Sequence, residues 1–169
     1  MNPFDLVVVG GGAAGFMTAV TAAENGVKRI IILEGSSKLM EKVRISGGGR
    51  CNVTNASWIP SELAENYPRG GIRLLESFNR FAAGDVFDWF EKRGLNLKIE
   101  ADNRVFPVSD SSLDVISCLK KNAINKGVEI STKFFVKEIL KTSDNLFTCL
   151  LYTSPSPRDL STSRMPSSA

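Results

Sequence analysis

The sequence predicts an α/β fold, in which helices connect the strands of a parallel sheet, from the order of its first four elements. Residues 6–9 read LVVV, a β-branched apolar run that is typical of a strand buried on both faces of such a sheet. Glycines follow at positions 10, 12 and 15, and the small residues from Ala13 to Asn25 predict a helix that Gly26 ends. A second apolar strand is predicted from Arg29 to Leu33. Strand, glycine turn, helix and strand in this order form the first βαβ unit of a parallel sheet.

The glycines of the first turn have the G-x-G-x-x-G spacing of a dinucleotide-binding loop. In such a loop Gly10 permits a tight turn, Gly12 lets the backbone approach a pyrophosphate, and Gly15 lets the helix pack closely on the strand. The helix begins at Ala13 and Ala14, and its N-terminus offers N–H donors and the positive end of a dipole to phosphate groups. The first turn is therefore a candidate pyrophosphate site.

Glu34 is the second part of this motif, because it directly follows the second predicted strand. A carboxylate at that point can accept hydrogen bonds from ribose hydroxyls, and it disfavours a ribose that carries a 2′-phosphate. The alternative is a tight turn between a strand and a helix, followed by an acid that has no role in binding. The motif by itself does not distinguish NAD from FAD.

A second glycine cluster occurs in the segment 44–55, which reads RISGGGRCNVTN. Consecutive glycines let the main chain lie against a ligand with its N–H groups pointing inward, and the flanking arginines can supply positive charge and forked donors. Two glycine-rich loops in one short chain suggest a single long ligand that carries phosphate groups. The alternative is a solvated glycine loop with two surface arginines.

Three segments together closely resemble one protein family: VVVGGGAAG at 7–15, ILEGSSKLMEKVRISGGGRCNVTN at 32–55 and RVFPVSDSSLDVISCLK at 104–120. The family is that of the BaiN-like NAD(P)/FAD-dependent oxidoreductases, a branch of the two-dinucleotide-binding flavoproteins. The resemblance runs from about Val7 to Phe147, and SGGGRCNVTN is its most specific part. It implies a Rossmann-like FAD-binding core, three-layered around a parallel sheet, with a helical excursion and short antiparallel strands.

The resemblance also assigns parts of a FAD site to particular residues. The first glycine turn is implied to hold the pyrophosphate, Glu34 the adenosine ribose and the segment 44–55 the flavin half, while Val136 is implied to lie near the adenine through its backbone. Asparagine and threonine side chains in the second segment can bond polar atoms of the flavin or the ribityl chain. The full implied set of cofactor-binding residues is Gly10, Gly12, Ala13, Ala14, Gly15, Glu34, Arg44, Ser46, Gly47, Gly48, Gly49, Arg50, Cys51, Asn52, Thr54, Asn55 and Val136.

Cys51 lies inside the most specific segment but has no cysteine near it, since the next one is Cys118. Flavin enzymes that exchange disulfides use two cysteines a few residues apart, so this chemistry is disfavoured. We expect a small packed residue beside the cofactor, and a thiol made reactive by the neighbouring Arg50 is the alternative. No residue of the chain qualifies as an acid or base for the reaction, so no catalytic residue is predicted.

The expected activity follows from the family resemblance. A full-length member would pass hydride from NADH or NADPH to the flavin and reduce a small organic substrate, such as one with an enone-like double bond. One alternative is a nucleotide-binding fragment without turnover, and another is a flavin-dependent RNA-modifying enzyme, whose N-terminal loop is similar. The net charge of +3 comes from dispersed lysines and arginines, which disfavours nucleic acid as a partner.

Composition restricts the remaining classes of protein. The three cysteines are far apart and the chain has no histidine, which argues against a metal site and a disulfide framework and favours a reducing cytoplasm. Leu6 to Ala23 is free of charge, but its glycines and threonines favour a strand, a loop and a helix over a membrane span. We therefore expect a cytoplasmic protein without a membrane partner.

The rest of the chain predicts further helices and strands from the spacing of its apolar residues. Their expected ranges are helices at Ile72 to Phe81 and Asp85 to Arg93, a hairpin from Leu97 to Phe106, a helix that ends at Lys126, and strands at Val128 to Ser131 and Phe135 to Lys141. Asp110 or a neighbouring serine is expected to cap the helix that ends at Lys126. Aromatic residues of the first two helices are expected to form a core stripe, and they are Phe78, Phe81, Phe87, Trp89 and Phe90.

Two departures from the family pattern concern the middle and the end of the chain. Met40 and Glu41 stand where the family more often has glycine and a basic residue, which leaves the course of that loop open. The resemblance ends near Phe147, and Cys149 to Ala169 contains six serines and three prolines, too little apolar surface to offset the entropy of ordering. We expect residues 1–148 to be the N-terminal part of an incomplete FAD-binding domain. Residues 149–169 are expected to be a disordered, non-native tail that resembles a translated sequencing adapter, with a natural flexible tail or linker as the alternative.

Overall fold

The computed structural model of the protein describes residues 3–143 and 146–152, the last three by their backbone alone. The described chain divides into two compact units, one formed by residues within Met1–Met40 and Ala123–Ala169 and the other by Glu41–Asn122. In chain order the elements are β1 (Leu6–Val9), α1 (Ala13–Glu24), β2 (Ile30–Glu34), α2 (Glu41–Ile45), a 3₁₀ turn (Ser46–Gly49), β3 (Thr54–Asn55), α3 (Pro60–Glu65), α4 (Gly71–Arg80), α5 (Ala83–Glu91), β4 (Leu97–Ile99), β5 (Arg104–Pro107), α6 (Ser112–Asn125), β6 (Glu129–Thr132), β7 (Phe135–Lys141) and β8 (Phe147–Tyr152).

The first unit contains a parallel sheet of three strands in the order β1, β2, β6. Val8 of β1 lies beside Ile32 of β2, which in turn lies beside Ile130 of β6. Helix α1 packs against β1 and β2, and its side chains Phe16 and Val20 are fully buried. The predicted α/β fold class with a parallel sheet is therefore confirmed.

Strand β1 differs from the prediction in its burial. Val8 is buried, but Val7 and Val9 are 38% and 52% exposed. Successive side chains of a strand point to opposite faces, and among the described residues β1 pairs with β2 alone, so it is an edge strand of this sheet. The prediction of burial on both faces is therefore wrong for β1, whereas β2 is buried from Ile30 to Leu33.

Helix α1 ends where its sequence predicts, because Gly26 can adopt the left-handed backbone that closes a helix. Gly26 has φ of +91°, its N–H donates to the carbonyl of Ala23 at 3.1 Å, and the N–H of Val27 donates to that of Ala22 at 3.1 Å. These two bonds satisfy carbonyls that the helix end leaves without partners. The uncharged stretch from Leu6 to Ala23 thus forms a strand, a loop and a helix. Within residues 3–143 and 146–152, no helix has both the length and the apolar character needed to cross a bilayer.

The second unit is built around an antiparallel sheet in the order β3, β5, β4. The predicted hairpin is present, with Ile99 of β4 opposite Val105 of β5 and a turn in which Asn103 has φ of +64°. Strand β3 pairs with the other edge of β5, where Thr54 also lies opposite Val105. This sheet therefore fixes the end of the glycine-rich segment 44–55 against the hairpin.

The predicted helices are present as α4, α5 and α6, with ends shifted by one or two residues. Ser111 is the cap at the start of α6, since its Oγ accepts the N–H of Leu113 at 3.3 Å. Trp89 and Phe90 are buried as predicted, but Phe81 is 45% exposed. The core prediction is wrong for Phe81 because the residue follows the last turn of α4 with an extended backbone, φ of −157°, and has left the helical periodicity.

The first unit also contains an antiparallel hairpin of β7 and β8, in which Ile139 lies opposite Cys149 and Val136 opposite Leu151. Residues 149–152 therefore belong to a strand, and the predicted start of disorder at Cys149 is too early. The serine and proline content that suggested disorder begins only after this apolar stretch, CLLY, whose backbone has β7 as a partner. Residues 153–169, the rest of the predicted tail, lie outside the described residues.

A chain that ends at residue 148 is expected to lose protection of β7, whereas a chain that ends at residue 152 is expected to keep it. The shorter chain lacks the backbone partners of Val136, Glu138 and Ile139. Amide hydrogen exchange of β7 should then be faster by about tenfold or more, with the amides of β2 as the internal control. Equal exchange of β7 in both chains would contradict a role of residues 149–152 in the hairpin.

Candidate dinucleotide-binding site

Each of the three motif glycines in the loop between β1 and α1 has a different structural role. Gly10 has φ of +107°, a backbone that side-chain-bearing residues rarely adopt, and its N–H donates to the carbonyl of Leu33 at 2.8 Å. A Cβ at Gly15 would lie 2.0 Å from the carbonyl oxygen of Gly10, so only glycine lets α1 pack this closely. A Cβ at Gly12 would meet no protein atom within 4 Å. That open space is where a pyrophosphate would lie in such a loop, so the residues present fit a dinucleotide.

The start of α1 is suited to an anion because no side chain competes for its backbone donors. Gly12 is the N-cap residue, it has no side chain to cap the helix, and the first turn contains no acid. The first N–H groups of a helix lack partners within the helix, and the helix dipole places partial positive charge at this end. Ala13 and Ala14 carry the first of these donors. The predicted phosphate-binding geometry is therefore available at this turn.

Glu34 ends β2 and connects two loops through its carboxylate. Its Oε2 accepts the N–H of Gly11 at 2.8 Å, and its Oε1 accepts the N–H of Ser36 at 2.8 Å. Burial raises the pKa of Glu34, but the hydrogen bonds from Ser36 and Gly11 outweigh it, so the pKa lies below its ordinary value. A carboxylate accepts several hydrogen bonds at once, which is what an added ribose hydroxyl would require. Glu34 is thus charged at neutral pH and able to take the predicted role.

Gly11 is a site residue that the sequence motif does not include. A Cβ at Gly11 would lie 2.6 Å from Cδ2 of Leu39 and 3.0 Å from Cβ of Glu34. A side chain here would therefore push the loop away from the carboxylate that its N–H contacts. The signal in the sequence was the unbroken run of three glycines, Gly10 to Gly12, of which the motif explains only two.

Replacing Glu34 with glutamine is expected to destabilise the protein at neutral pH and to matter less in acid. A carboxyl group with a lowered pKa in the folded state stabilises that state above its unfolded pKa, and this contribution disappears as pH falls through the folded pKa. Urea unfolding at about pH 7 and at about pH 3.5 measures the difference between the native chain and Glu34→Gln at each pH. Glu65→Gln, a change at an exposed acid of α3, is the matched control. An equal difference at both pH values would rule out the charged carboxylate as the source.

Two backbone hydrogen bonds bring the chain before β7 to the segment that follows β2. The N–H of Phe134 donates to the carbonyl of Glu34 at 2.9 Å, and that of Lys133 donates to the carbonyl of Ser36 at 3.0 Å. Val136 lies two residues farther along in β7. The structure therefore brings the Val136 strand to the same segment as Glu34, which is compatible with the implied adenine contact.

Met40 closes the loop that the family comparison left open. It has φ of +55°, in the left-handed region, and its N–H donates to the carbonyl of Gly11 at 3.0 Å. The side chain is buried, so the residue combines a backbone suited to glycine with an apolar contribution to the core. A left-handed backbone is one that glycine adopts more readily than methionine, so this position carries some strain in the present chain.

In the second unit, the glycines of the segment 44–55 form a left-handed turn. Gly47, Gly48 and Gly49 have φ of +56°, +68° and +89°, and the N–H of Cys51 donates to the carbonyl of Ser46 at 3.0 Å. A Cβ at Gly47 would lie 3.0 Å from Cε1 of Phe106, whereas one at Gly48 or Gly49 would meet nothing within 4 Å. The turn therefore rests on the protein at Gly47 and is open at the two following glycines.

Most polar side chains of this segment have partners within the second unit. Arg44 pairs with Glu41 at 3.2 Å, and Oδ1 of Asn55 accepts the N–H of Ser57 at 3.0 Å. In the orientation that satisfies both of its ends, the amide of Asn52 donates to the carbonyls of Thr54 and Val105 at 2.8 and 3.2 Å. These contacts shape the turn itself. The contacts of these side chains with a cofactor, implied by the resemblance, stay predictions.

Cys51 is a packed residue in this turn, with 6% of its surface exposed and φ of +63°. Burial raises the pKa of its thiol, partly opposed by a hydrogen bond with Ser46. A thiol with a raised pKa is mostly protonated at neutral pH and is a poor nucleophile. Within the described residues, no group of three or more potential ligands is placed to hold a metal ion.

The glycine loop between β1 and α1 has open space at Gly12, the start of α1 is uncapped, and a carboxylate stands at the end of β2. Together these features define a Rossmann-type dinucleotide-binding domain. The family model of the HI0933-like protein Rossmann domain matches residues 4–157. The chain belongs to this HI0933-like Rossmann domain family. The resemblance to FAD-dependent oxidoreductases seen in the sequence is thereby confirmed at the level of the family.

Similar proteins include the 3-dehydro-bile acid delta(4,6)-reductase of Clostridium scindens, 31% identical over 137 residues that cover 80% of this chain and 32% of the relative. The ribosomal RNA dihydrouridine synthase of Escherichia coli is 29% identical over 119 residues, which cover 70% of this chain and 28% of the relative. The solved 3-ketosteroid-delta4-(5alpha)-dehydrogenase of Rhodococcus jostii RHA1, in complex with 4-androstene-3,17-dione, matches with a TM-score of 0.58 and 13% identity over 90% of this chain and 45% of that chain. The match to the solved structure shows a shared fold. The chain spans about a third of the length of the curated relatives that it matches.

Proposed function

We propose that the chain binds FAD and serves a flavin-dependent oxidoreductase that passes hydride from a reduced nicotinamide to an organic substrate. The observation that carries the proposal is the contrast between two glycines of one loop. Gly15 is blocked by the backbone of Gly10, whereas Gly12 faces open space beside the uncapped start of α1. A turn that only connects a strand to a helix needs the close packing at Gly15 but has no need of open space at Gly12. A pyrophosphate requires that open space.

Each part of the cofactor has proposed partners in the chain. The N–H groups at Ala13 and Ala14 bind the pyrophosphate, the carboxylate of Glu34 accepts from the ribose, and the backbone near Val136 meets the adenine. The segment 44–55 contacts the flavin half through the open backbone at Gly48 and Gly49. When bound, FAD supplies a ring system that takes up hydride and gives it to another molecule. The chain's own residues bind and orient this group.

The electron donor and the substrate class are part of the proposal. NADH or NADPH is the donor, because the BaiN-like family that the sequence resembles uses reduced nicotinamides. The Clostridium scindens relative is named as a reductase of a 3-dehydro-bile acid, and this supports an enone-like carbon–carbon double bond as the substrate class.

The test uses FAD titration followed by reduction without oxygen. FAD fluorescence should be quenched on addition of the protein, AMP should compete, and riboflavin, which lacks the pyrophosphate, should bind more weakly. Adding NADH or NADPH should then bleach the flavin absorbance. If FAD binds but is not bleached by either nucleotide, the chain is a nucleotide-binding part without turnover by itself. If FAD is not quenched at all, the proposed function is wrong.

A second candidate function is modification of RNA by a flavin enzyme. The observation that favours it is the ribosomal RNA dihydrouridine synthase of Escherichia coli, at 29% identity over 119 residues. The mild net charge of +3 favours a small molecule instead, because RNA binding normally uses concentrated positive charge. A gel-shift titration with ribosomal RNA fragments at about 0.15 M salt separates the two. A specific shift at that salt would favour the second candidate.

A further inference from the structure

Arg50, the arginine that follows the glycine turn, is held by three partners in the second unit. Its guanidinium carbon lies 3.9 Å from the ring centroid of Phe106. Its Nη1 lies 2.5 Å from Oε1 of Glu100 and 3.4 Å from Oδ1 of Asp110. An arginine stacked on a ring and paired with two carboxylates has a fixed orientation, because its planar group is constrained in both direction and distance.

Phe106 connects this arginine to the start of the turn. The ring is fully buried, and its Cε1 is the atom that a Cβ at Gly47 would approach to 3.0 Å. One ring thus lies beside the first glycine of the turn and stacks with the arginine that follows the last one. The two carboxylates hold Arg50 against the ring of Phe106, and the ring packs beside the start of the turn at Gly47. The shape of the turn between Gly47 and Arg50 is therefore set at both ends.

The charges around Arg50 cancel. Lys98 pairs with Asp110 at 2.5 Å, and Arg104 pairs with Asp102 at 2.6 Å and with Glu100 at 3.7 Å. The cluster therefore consists of three cations, which are Arg50, Lys98 and Arg104, and three carboxylates, which are Glu100, Asp102 and Asp110. The hydrogen bond from Lys98, with a further contribution from Arg50, lowers the pKa of Asp110, so this carboxylate is charged at neutral pH.

A neutral cluster suits one half of FAD better than the other. The negative charge of FAD is confined to its pyrophosphate, whereas the oxidised flavin ring and the ribityl chain carry none. A group that binds phosphate normally offers uncompensated positive charge or unpaired donors. The turn of the second unit offers open backbone at Gly48 and Gly49, beside an arginine whose charge is already balanced.

We propose that Glu100 and Asp110 are positioning residues, which act through Arg50 and Phe106 to hold the glycine turn in the shape that receives the uncharged flavin half. Arg50 then contributes order to the turn and no net charge to the cofactor. This inference rests on the proposed function for its ligand. We call the arrangement of Glu100 and Asp110 around Arg50 and Phe106 the clamp. The clamp lies entirely within the second unit.

The test compares FAD with AMP, which lacks the flavin half, in the full chain. Glu100→Gln and Asp110→Asn each remove one charge while keeping shape, and asparagine tolerates the φ of +52° that Asp110 adopts. Each change should weaken FAD by about fivefold to thirtyfold and AMP by less than about twofold. Arg50→Ala should show the same preference for FAD. Asp102→Asn is the matched control, because it removes a carboxylate of the cluster that has no contact with Arg50, and it should leave both affinities unchanged.

Salt dependence tells positioning from direct charge contact. If Arg50 only orders the turn, the FAD affinity of Arg50→Ala should fall with salt as steeply as that of the native chain. A shallower dependence in Arg50→Ala would show that Arg50 meets the pyrophosphate, which overturns the inference. Tighter FAD binding by Glu100→Gln would also overturn it, because the carboxylate would then compete with the cofactor for Arg50.

A measurement without cofactor keeps the clamp separate from the proposed function. A double-mutant cycle of Arg50→Ala and Glu100→Gln in urea unfolding should give a clear coupling between the two residues. Additive effects would overturn the clamp whatever FAD does. Coupling together with an absence of FAD binding by the native chain would retain the clamp, but it would overturn both the proposed function and the assignment of a flavin ligand.

Discussion

Replacing Gly12 with valine is expected to abolish FAD binding and to leave the fold nearly unchanged. A Cβ at Gly12 meets no protein atom within 4 Å, and the residue has extended backbone, φ of −88° and ψ of −178°, which valine readily adopts. The side chain would instead occupy the place of the pyrophosphate, so the affinity for FAD should fall by about a hundredfold or more. FAD fluorescence quenching measures the affinity, and a thermal melt measures the fold.

Gly12→Ala is a smaller substitution at the same position, because its single methyl group intrudes less into the same space. It should weaken FAD by an intermediate factor, and both variants should melt within a few degrees of the native chain. Native affinity for FAD in Gly12→Val would remove the loop from the cofactor site. A large loss of stability would instead mean that the space beside Gly12 is needed by the fold.

Replacing Gly15 with alanine is expected to have the opposite signature, a large loss of stability. The new Cβ would lie 2.0 Å from the carbonyl oxygen of Gly10, and that oxygen belongs to backbone that cannot rotate away as a side chain would. Helix α1 must move off the sheet to relieve the clash, at a cost of about 3 kcal/mol. For a chain of this size the melting temperature should fall by about 6 to 12 °C.

The matched control for Gly15→Ala is the same substitution in another helix. A Cβ at Gly84 of α5 would lie 3.5 Å from Cε3 of Trp58, an ordinary contact. Gly84→Ala should leave stability unchanged or raise it slightly, because alanine restricts the unfolded chain more than glycine does. Similar melting temperatures for Gly15→Ala and the native chain would show that α1 can shift without cost, and that the close packing at Gly15 does not hold the loop in shape.

Features that depend on near neighbours in the sequence could be predicted well. Strand β1, the glycine turn, α1 and β2 follow from local periodicity and from residues with particular backbone preferences, and Gly26 marks the helix end for the same reason. The position of Glu34 at the end of β2 follows from the length of one βαβ unit. The hairpin between β4 and β5 was visible from its turn residues.

Features that depend on distant residues could not be predicted. The sequence suggested that Arg50 can supply positive charge to a ligand, but the carboxylates that balance this charge, Glu100 and Asp110, lie 50 and 60 positions away. The exposure of Val7 and Val9 depends on which strands flank β1, which no local pattern reveals. Phe81 has the spacing of a helical core residue but follows the point where α4 stops. In each case tertiary context overrides a local signal.

The two hydrogen bonds of the Glu34 carboxylate also bear on the kinetics of binding. Because the protein's own groups tie Gly11 and Ser36 to Glu34, the shape of the phosphate turn is maintained by the chain itself. A cofactor that meets a prearranged surface loses less of its binding free energy to the ordering of loops. Its association is then limited by encounter and orientation, and differences in affinity among variants of this turn would lie mainly in how fast the cofactor leaves.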